Sequence, residues 1–310
     1  MKNIKIQQVE ATEHPGEADS SGDKPVEGDD ANNARSDVDS PETAVNVGVS
    51  EAMLLWHKQL PPKLHVLYLK TLKQLAKAAP ELAVGSACSG SDIYWKVSEM
   101  LVDFLGTEHG VHLNFKHVLA AENDEKKISF LRSQFPLLRV LLQDVSDLNK
   151  PRPPNRVNHK PCFVPHMDGF IAGFSCASRA KLNCKRGQFK DCLQKQQSCS
   201  TNDTFEPIAL CIKKTRPRFF LLENVEGITE KSKDAEMSDC DWICNQMRAE
   251  GFWCEPFVIE AQDYGSVPVR KRVYIMGVLL TEDTKPLYCE FSAFATQMLN
   301  SMVIGPGLVH

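Results

Sequence analysis

The sequence predicts an α/β domain: a mostly parallel sheet covered by helices on both faces. Two observations predict it. Short apolar runs alternate with stretches of helical periodicity between residues 82 and 279, and the connections are short. That is the pattern of strands buried on both faces by crossover helices. Small or polar residues also follow successive apolar runs, where a doubly wound sheet holds its ligands, at the carboxyl ends of its strands. The 310 residues, 42% hydrophobic and 25% charged, suffice for one large domain or two modest ones with ample core.

The elements follow in order. Met53, Leu54, Leu55, Leu60, Leu64, Leu67, Leu69, Leu72 and Leu75 suggest one or two amphipathic helices, interrupted at Pro61-Pro62. Leu82–Val84 reads as a short strand, Ile93–Leu105 as a helix, and His117–Ala121 as a second strand. Glu125–Phe135 reads as a helix closed by Pro136. Val140–Gln143, Phe170–Gly173 and Phe219–Glu223 are further strands, the last preceded by a helix over Pro207–Lys214. Asp241–Gly251 is a helix with glycine at its end, and Phe257–Glu260 and Val273–Leu279 are late strands. Two segments break the rhythm. Lys150–Pro165 holds five prolines and should be a surface loop. Ala177–Thr201 sets Arg179, Lys181, Lys185, Arg186, Lys190 and Lys195 against the single acid Asp191, and so reads as a functional loop or an insertion.

Charge and cysteine usage narrow the class. Residues 1–50 carry 4 Lys/Arg against 11 Asp/Glu and no aromatic residue, so a disordered acidic tail is expected. Within the net charge of −4, that leaves a mildly basic remainder, compatible with nucleic acid. No run approaches the roughly 18 apolar residues of a membrane helix, and the N-terminus lacks a signal-peptide core. The expectation is an intracellular protein with no membrane partner. Eleven cysteines, an odd number in a long chain, read as reduced thiols rather than a disulfide scaffold. Cys184, Cys192 and Cys199, and the pair Cys240 and Cys244, raise the question of zinc. No C-x-x-C pair is present, and no metal is expected.

The residues at the strand ends carry the chemistry. The first strand ends in Ala87-Cys88-Ser89-Gly90-Ser91-Asp92, a small-residue turn that lets a ligand approach backbone amides, though many turns look so. The second ends in Glu122-Asn123-Asp124, where an acid suits ribose hydroxyls, and the third in Gln143-Asp144-Val145, where an acid could meet an adenine amino group. Either acid could instead cap the following helix. Together they describe an adenosine pocket without the G-x-G-x-x-G of dinucleotide enzymes, which favours S-adenosylmethionine over NAD. The fourth strand delivers Gly173-Phe174-Ser175-Cys176 to the same crevice. A lone cysteine is commonly a small buried hydrophobe, but this position, with a basic loop behind, favours a reactive thiolate. The fifth ends in Glu223-Asn224-Val225, a carboxylate after four apolar residues and so partly desolvated, suited to proton donation. Arg270-Lys271-Arg272 opens the last strand, with Arg270 and Arg272 on one face and Lys271 on the other. A plain surface pair is the alternative there.

The order and spacing of these residues resemble the cytosine carbon-5 DNA methyltransferase family over roughly Ala83 to Leu280. Cys88-Ser89-Gly90 resembles the family's first turn, Glu122 its ribose acid and Asp144 its adenine acid. Ser175-Cys176-Ala177 resembles its Pro-Cys-Gln nucleophile motif. Glu223-Asn224-Val225 reproduces its Glu-Asn-Val motif intact, behind Arg216-Pro217-Arg218-Phe219. Pro268-Val269-Arg270-Lys271-Arg272, after Asp263-Tyr264-Gly265, resembles its Gln-x-Arg-x-Arg motif. Ser175, Ala177, Pro268 and Cys88 depart from the family pattern.

The resemblance implies a Rossmann-like S-adenosylmethionine-dependent methyltransferase fold and methyl transfer to carbon 5 of cytosine. Cys176 would be the nucleophile, Glu223 would act at ring nitrogen 3, Arg272 would bind the ring carbonyl, and Arg270 would support the nucleophile loop or a phosphate. Asn224 would fix loop geometry. Cys88, Ser89, Gly90, Glu122, Asn123, Asp144, Val145 and Ser175 would hold the cofactor. DNA is the expected partner, with RNA or a catalytically impaired nucleic-acid-binding protein as alternatives, and nuclear residence would follow in a eukaryote. The implied layout is a helical N-terminal extension over 51–80, a catalytic domain over 81–282 and a remnant over 283–310. After Leu280 only 30 residues remain, too few for the family's target recognition domain and last helix. A truncated chain, a partner chain supplying recognition, and loss of activity are the expectations this raises. A further one is that the Glu51–Ala79 helices replace the last helix.

Overall fold

The computed structural model describes residues 60–79, 81–180, 183–184, 186–189, 191–233, 235–264, 269–282, 288–301 and 303. The segment 1–50 and the apolar residues Met53, Leu54 and Leu55 lie outside the described residues. The strands are β1 (Glu81–Ala87), β2 (Asn114–Ala121), β3 (Val140–Leu142), β4 (Gly169–Ala172), β5 (Phe219–Val225), β6 (Phe252–Glu260) and β7 (Lys271–Leu279). They form one sheet in the order β3-β2-β1-β4-β5-β7-β6. Strands β1 to β5 pair in parallel, while β7 runs antiparallel to both β5 and β6. In this Rossmann-like sheet the strand order reverses between the parallel neighbours β1 and β4, which places a ligand crevice above their carboxyl ends.

The helices are α1 (Pro62–Ala78), α2 (Ile93–His109), α3 (Glu125–Gln134), α4 (Ser200–Thr215), α5 (Asp239–Ala249) and α6 (Tyr288–Ser301). Their ends follow local chemistry. Pro61 and Pro62 sit at the cap and first position of α1, where no intrahelical N–H is lost, so they begin the helix. Gly110 closes α2 in the left-handed conformation. Asp124 caps α3 by accepting the amides of Lys126 and Lys127, and Ser238 with Asp241 forms a capping box on α5. Along the sheet the core holds Leu119, Leu142, Phe170, Phe220 and Leu222, each almost fully buried. Five of the described cysteines, Cys192, Cys211, Cys240, Cys244 and Cys254, are buried in the same core.

Three elements differ from the sequence reading. Helix α4 begins at Ser200, with Pro207 inside it rather than at its start. Pro207 removes the N–H that would meet the Asp203 carbonyl, but Phe205, Ile208, Cys211 and Ile212 are buried on either side of it, so packing holds the helix through the break. Several described residues of the basic Ala177–Thr201 segment are built into the domain. Cys192 and Leu193 are fully buried, Arg179 is buried in an ion pair with Asp239, and Lys195 pairs with Asp191 at 2.7 Å. The C-terminal remnant contains α6, which packs on β6. Phe291 lies 5.7 Å from the ring of Trp253, whose Nε1 donates to Ser292 Oγ at 3.2 Å.

Tyr68, Leu72, Leu75 and Ala76 of α1 pack against Leu101, Val102, Phe104, Leu105, Val111 and Leu113. Deleting residues 1–79 should therefore expose the buried Leu105 and Val111 and lower the unfolding free energy by more than about 3 kcal/mol. Urea unfolding of the two chains checks this. An unchanged midpoint would show that α1 is not part of the domain's core.

Candidate active site

The turn after β1 is the most unusual stretch of backbone. Cys88, Gly90 and Asp92 all adopt positive φ, at 50°, 59° and 50°. Only glycine takes that region without steric cost, so two of the three positions are strained and must be held by neighbours. Ser89 does part of this, donating its amide to Ala121 O at 3.2 Å and its hydroxyl to the same oxygen at 3.3 Å. Beneath it, Ser86 Oγ lies 2.7 Å from Ser89 Oγ and donates to Asp92 Oδ2 at 2.8 Å. Asp92 is also 3.0 Å from His117 Nε2, and both side chains are buried.

Glu122, at the end of β2, is buried and accepts the Gly90 amide on Oε2 at 2.7 Å. Its Oε1 accepts the amides of Asn123 and Asp124, each at 3.1 Å. Asn123 is exposed. At the end of β3, Asp144 caps a 3-10 turn over Val145–Asn149, its Oδ1 accepting the Ser146 amide at 2.8 Å. Val145 is buried beside it. The helix-capping alternative is thus realised at Asp144, while Glu122 ties the first turn to the second strand. The Cys88 thiol is pushed up to about 12, first by burial and then by the Glu122 and Asp144 carboxylates. At Gly90 an added Cβ would meet nothing within 4 Å, so the turn has open space above it.

The fourth strand extends into Gly173, whose amide donates to Ala87 O at 3.3 Å. Phe174 then turns into the core, its ring 5.2 Å from Phe205. Asn224 is buried and donates Nδ2 to the Phe174 carbonyl at 3.0 Å. Ser175 donates its amide to Thr204 Oγ1 at 2.9 Å. Cys176 follows, half-buried, with its carbonyl accepting the amides of Arg179 and Ala180. Asn224 and Thr204, from β5 and α4, therefore fix the two residues that lead to the thiol.

Glu223 sits on the neighbouring strand. Its Oε1 lies 2.8 Å from Arg272 Nε and 4.0 Å from Arg270 NH2, and Lys271 turns the other way to Glu226. The alternation along β7 anticipated this. Four preceding apolar residues suggested apolar surroundings for Glu223; in fact two guanidinium groups face it. A Cβ added at Gly173 would lie 3.3 Å from Glu223 Oε2 and 3.7 Å from the Tyr94 hydroxyl, so glycine is what lets the carboxylate lie against the strand that leads to Cys176. Burial, followed by nearby carboxylates, raises the Tyr94 phenol, and burial with Glu223 raises that of Tyr274. Residues 265–268, including Pro268, lie outside the described residues.

The structure brings the expected residues to adjacent strand ends: Cys88, Ser89, Gly90, Glu122, Asp144 and Val145 above β1 to β3, and Ser175, Cys176, Glu223, Arg270 and Arg272 above β4, β5 and β7. Tyr94, His117, Thr204 and Tyr274 were not singled out by the sequence reading, and Asp92 entered it only as the last residue of the first turn. Tyr94 lies close after that turn, and that proximity was the available signal.

The profile of the C-5 cytosine-specific DNA methylase family matches residues 96–302, more than half of the chain. DNA (cytosine-5-)-methyltransferase DMT5 of Cryptococcus neoformans is 28% identical over 149 residues, which are 47% of this chain and 6% of that protein. Type II methyltransferase M.NlaIV of Neisseria lactamica is 31% identical over 120 residues, 37% of this chain and 26% of that one. The crystal structure of the S. pombe Dnmt2 methyltransferase is 14% identical, with a TM-score of 0.41, and the match covers 66% of this chain and 53% of that one. The chain spans less than a third of the length of either curated relative. The sheet order and the profile match lead to one conclusion: this chain belongs to the C-5 cytosine-specific DNA methylase family.

Proposed function

We propose that this chain transfers a methyl group from S-adenosylmethionine to carbon 5 of cytosine in DNA, with Cys176 as the nucleophile. The observation that carries the reading is the Glu223–Arg272 pair at 2.8 Å, seated against Gly173 on the strand that leads to Cys176. A carboxyl group and a guanidinium side by side match the ring nitrogen 3 and carbonyl oxygen of cytosine.

The residues fit the cofactor. Glu122 and Asp144 present carboxylates at neighbouring strand ends, suited to ribose hydroxyls and an adenine amino group, and the open space above Gly90 admits a ligand to the turn. When bound, S-adenosylmethionine supplies an electrophilic methyl group.

The chain's own residues do the rest. The Cys176 thiolate adds to carbon 6, forming a carbon–sulfur bond and pushing electron density to carbon 5. Glu223, carrying a proton, gives it to ring nitrogen 3 as the thiolate adds, and Arg272 meets the charge on the carbonyl oxygen. Once carbon 5 is substituted, its proton is lost to a base and the ring expels the thiolate, restoring Cys176. The base must leave the duplex stack for any of this, which costs a few kcal/mol.

DNA carrying 5-fluorocytosine tests the reading, because fluorine blocks the final proton loss and traps the enzyme on its substrate. A denaturation-resistant adduct that requires S-adenosylmethionine is expected. No adduct, with cofactor binding still detected by titration, would reject catalysis on DNA. An adduct on RNA alone would move the substrate class.

A further inference from the structure

We propose that Arg179 and Asp239 are positioning residues that set the place of Cys176 in the crevice. The inference rests on the reading of Cys176 as nucleophile. The residue before the thiol is Ser175, whose φ no ring restrains. The turn must therefore be held from outside, and the structure shows by what.

Arg179 is the next fixed point along the chain. Its amide donates to the Cys176 carbonyl at 2.9 Å, so the residue closes the turn that carries the thiol. Its guanidinium is buried and pairs with Asp239, which is fully buried at the first position of α5. The positive end of that helix favours the carboxylate there. The same carboxylate gathers more of the segment, accepting the Leu193 amide at 3.3 Å and Gln194 Nε2 at 3.1 Å. The other side of Arg179 is clamped too. A Cβ added at Gly227 would lie 2.5 Å from the Arg179 carbonyl oxygen. Gly227 stands just beyond Glu223-Asn224-Val225, so the backbone of Arg179 lies directly against the end of the strand that bears Glu223. The thiol turn is thus tied both to the segment just beyond β5 and to the start of α5.

Energetics favour a positional role over a stabilising one. Replacing a buried ion pair by apolar side chains of similar volume is commonly neutral, whereas a planar guanidinium on a fixed carboxylate defines one geometry. A displacement of about 1 Å at a reacting atom costs on the order of 10²-fold in rate.

The test uses the full chain with Arg179→Met and Asp239→Asn, the second nearly isosteric in case the first fails to fold. Three quantities are read: the unfolding midpoint, the affinity for S-adenosylmethionine, and kcat and KM on cytosine DNA. The rate of Cys176 alkylation by iodoacetamide, followed by mass spectrometry, is a fourth that needs no turnover. A folded variant is expected to lose about 10- to 100-fold in kcat, keep its cofactor affinity, and alkylate Cys176 at a rate several-fold different from the parent. A folded variant with unchanged kcat and unchanged alkylation overturns the proposal. So does a loss of kcat that tracks a parallel loss of cofactor affinity, which is the mark of a general structural role. If the parent forms no adduct with fluorinated DNA, the functional reading has failed, and the alkylation rates still decide whether the pair positions the thiol.

Discussion

Cys176→Ala is expected to reduce methyl transfer to cytosine DNA by on the order of 10⁴-fold or more, with the fold and cofactor affinity intact. The thiol makes no hydrogen bond among the described residues, and it is half-buried rather than packed in the core. Losing one sulfur atom there leaves neither a buried polar group unpaired nor a large cavity, so the unfolding midpoint should not move. The chemical consequence is complete, because without addition at carbon 6 nothing makes carbon 5 nucleophilic. Glu223→Gln is the informative contrast. It keeps the shape facing Arg272 but removes the charge and the transferable proton, and general acid–base groups contribute about 10²- to 10⁴-fold. Single-turnover transfer of a labelled methyl group, with each variant saturated in cofactor, measures both. Turnover in Cys176→Ala at a tenth of the parent rate or above would remove Cys176 from the mechanism.

How much of this was legible before the structure depends on what kind of force holds each part. The strands were legible because burial on both faces leaves uninterrupted apolar runs; the exception is the edge strand β6, which starts at Phe252 and not at Phe257, where Glu255 and Pro256 interrupt the run. The residues at their ends were legible for the same reason: once the strands are placed, the topology decides what gathers above them. Arg270 and Arg272 on one face, with Lys271 on the other, needed only the two-residue period of a strand. The burial of Arg179 was not legible. Its partner Asp239 is 60 residues away, and composition sees a basic segment with one acid, not the carboxylate that reaches it from another helix. The start of α4 was misplaced because a proline is a good first residue of a helix as well as a tolerable interior one when tertiary contacts compensate. Helix α6 was missed although its signal was present: Phe291, Phe294 and Met298 recur at helical spacing, and all are partly buried. Strain in the first turn lay beyond any local pattern. Nothing in Cys88-Ser89-Gly90-Ser91-Asp92 says that its first and last residues take positive φ.

That strained turn leads to the second large effect, which falls on stability and cofactor binding together. His117→Leu should destabilise the protein by about 3–5 kcal/mol. Asp92 is 1% exposed, and its Oδ1 has no hydrogen-bond partner among the described residues. The carboxylate depends on Oδ2, which Ser86 Oγ meets at 2.8 Å and His117 Nε2 at 3.0 Å. Leucine can occupy much of the space between the rings of Trp95 and Phe135, which lie 4.8 and 5.3 Å from the imidazole. It cannot donate, so a buried carboxylate is left with Ser86 alone. Asp92→Asn should cost less, about 1–3 kcal/mol, because it weakens hydrogen bonds without stranding a charge. Added to the His117→Leu background it should recover part of the loss, since the group left behind is then neutral. The consequence reaches the crevice: Asp92 donates its amide to Ser89 O at 2.8 Å, and Ser86 touches the Ser89 hydroxyl, so a displaced carboxylate moves the turn that Glu122 holds through Gly90. Affinity for S-adenosylmethionine should fall along with stability. Urea unfolding of the two single variants and the double variant, with cofactor titrations on the folded proteins, measures the coupling. If the double variant is less stable than His117→Leu alone, the buried carboxylate is not what the histidine serves.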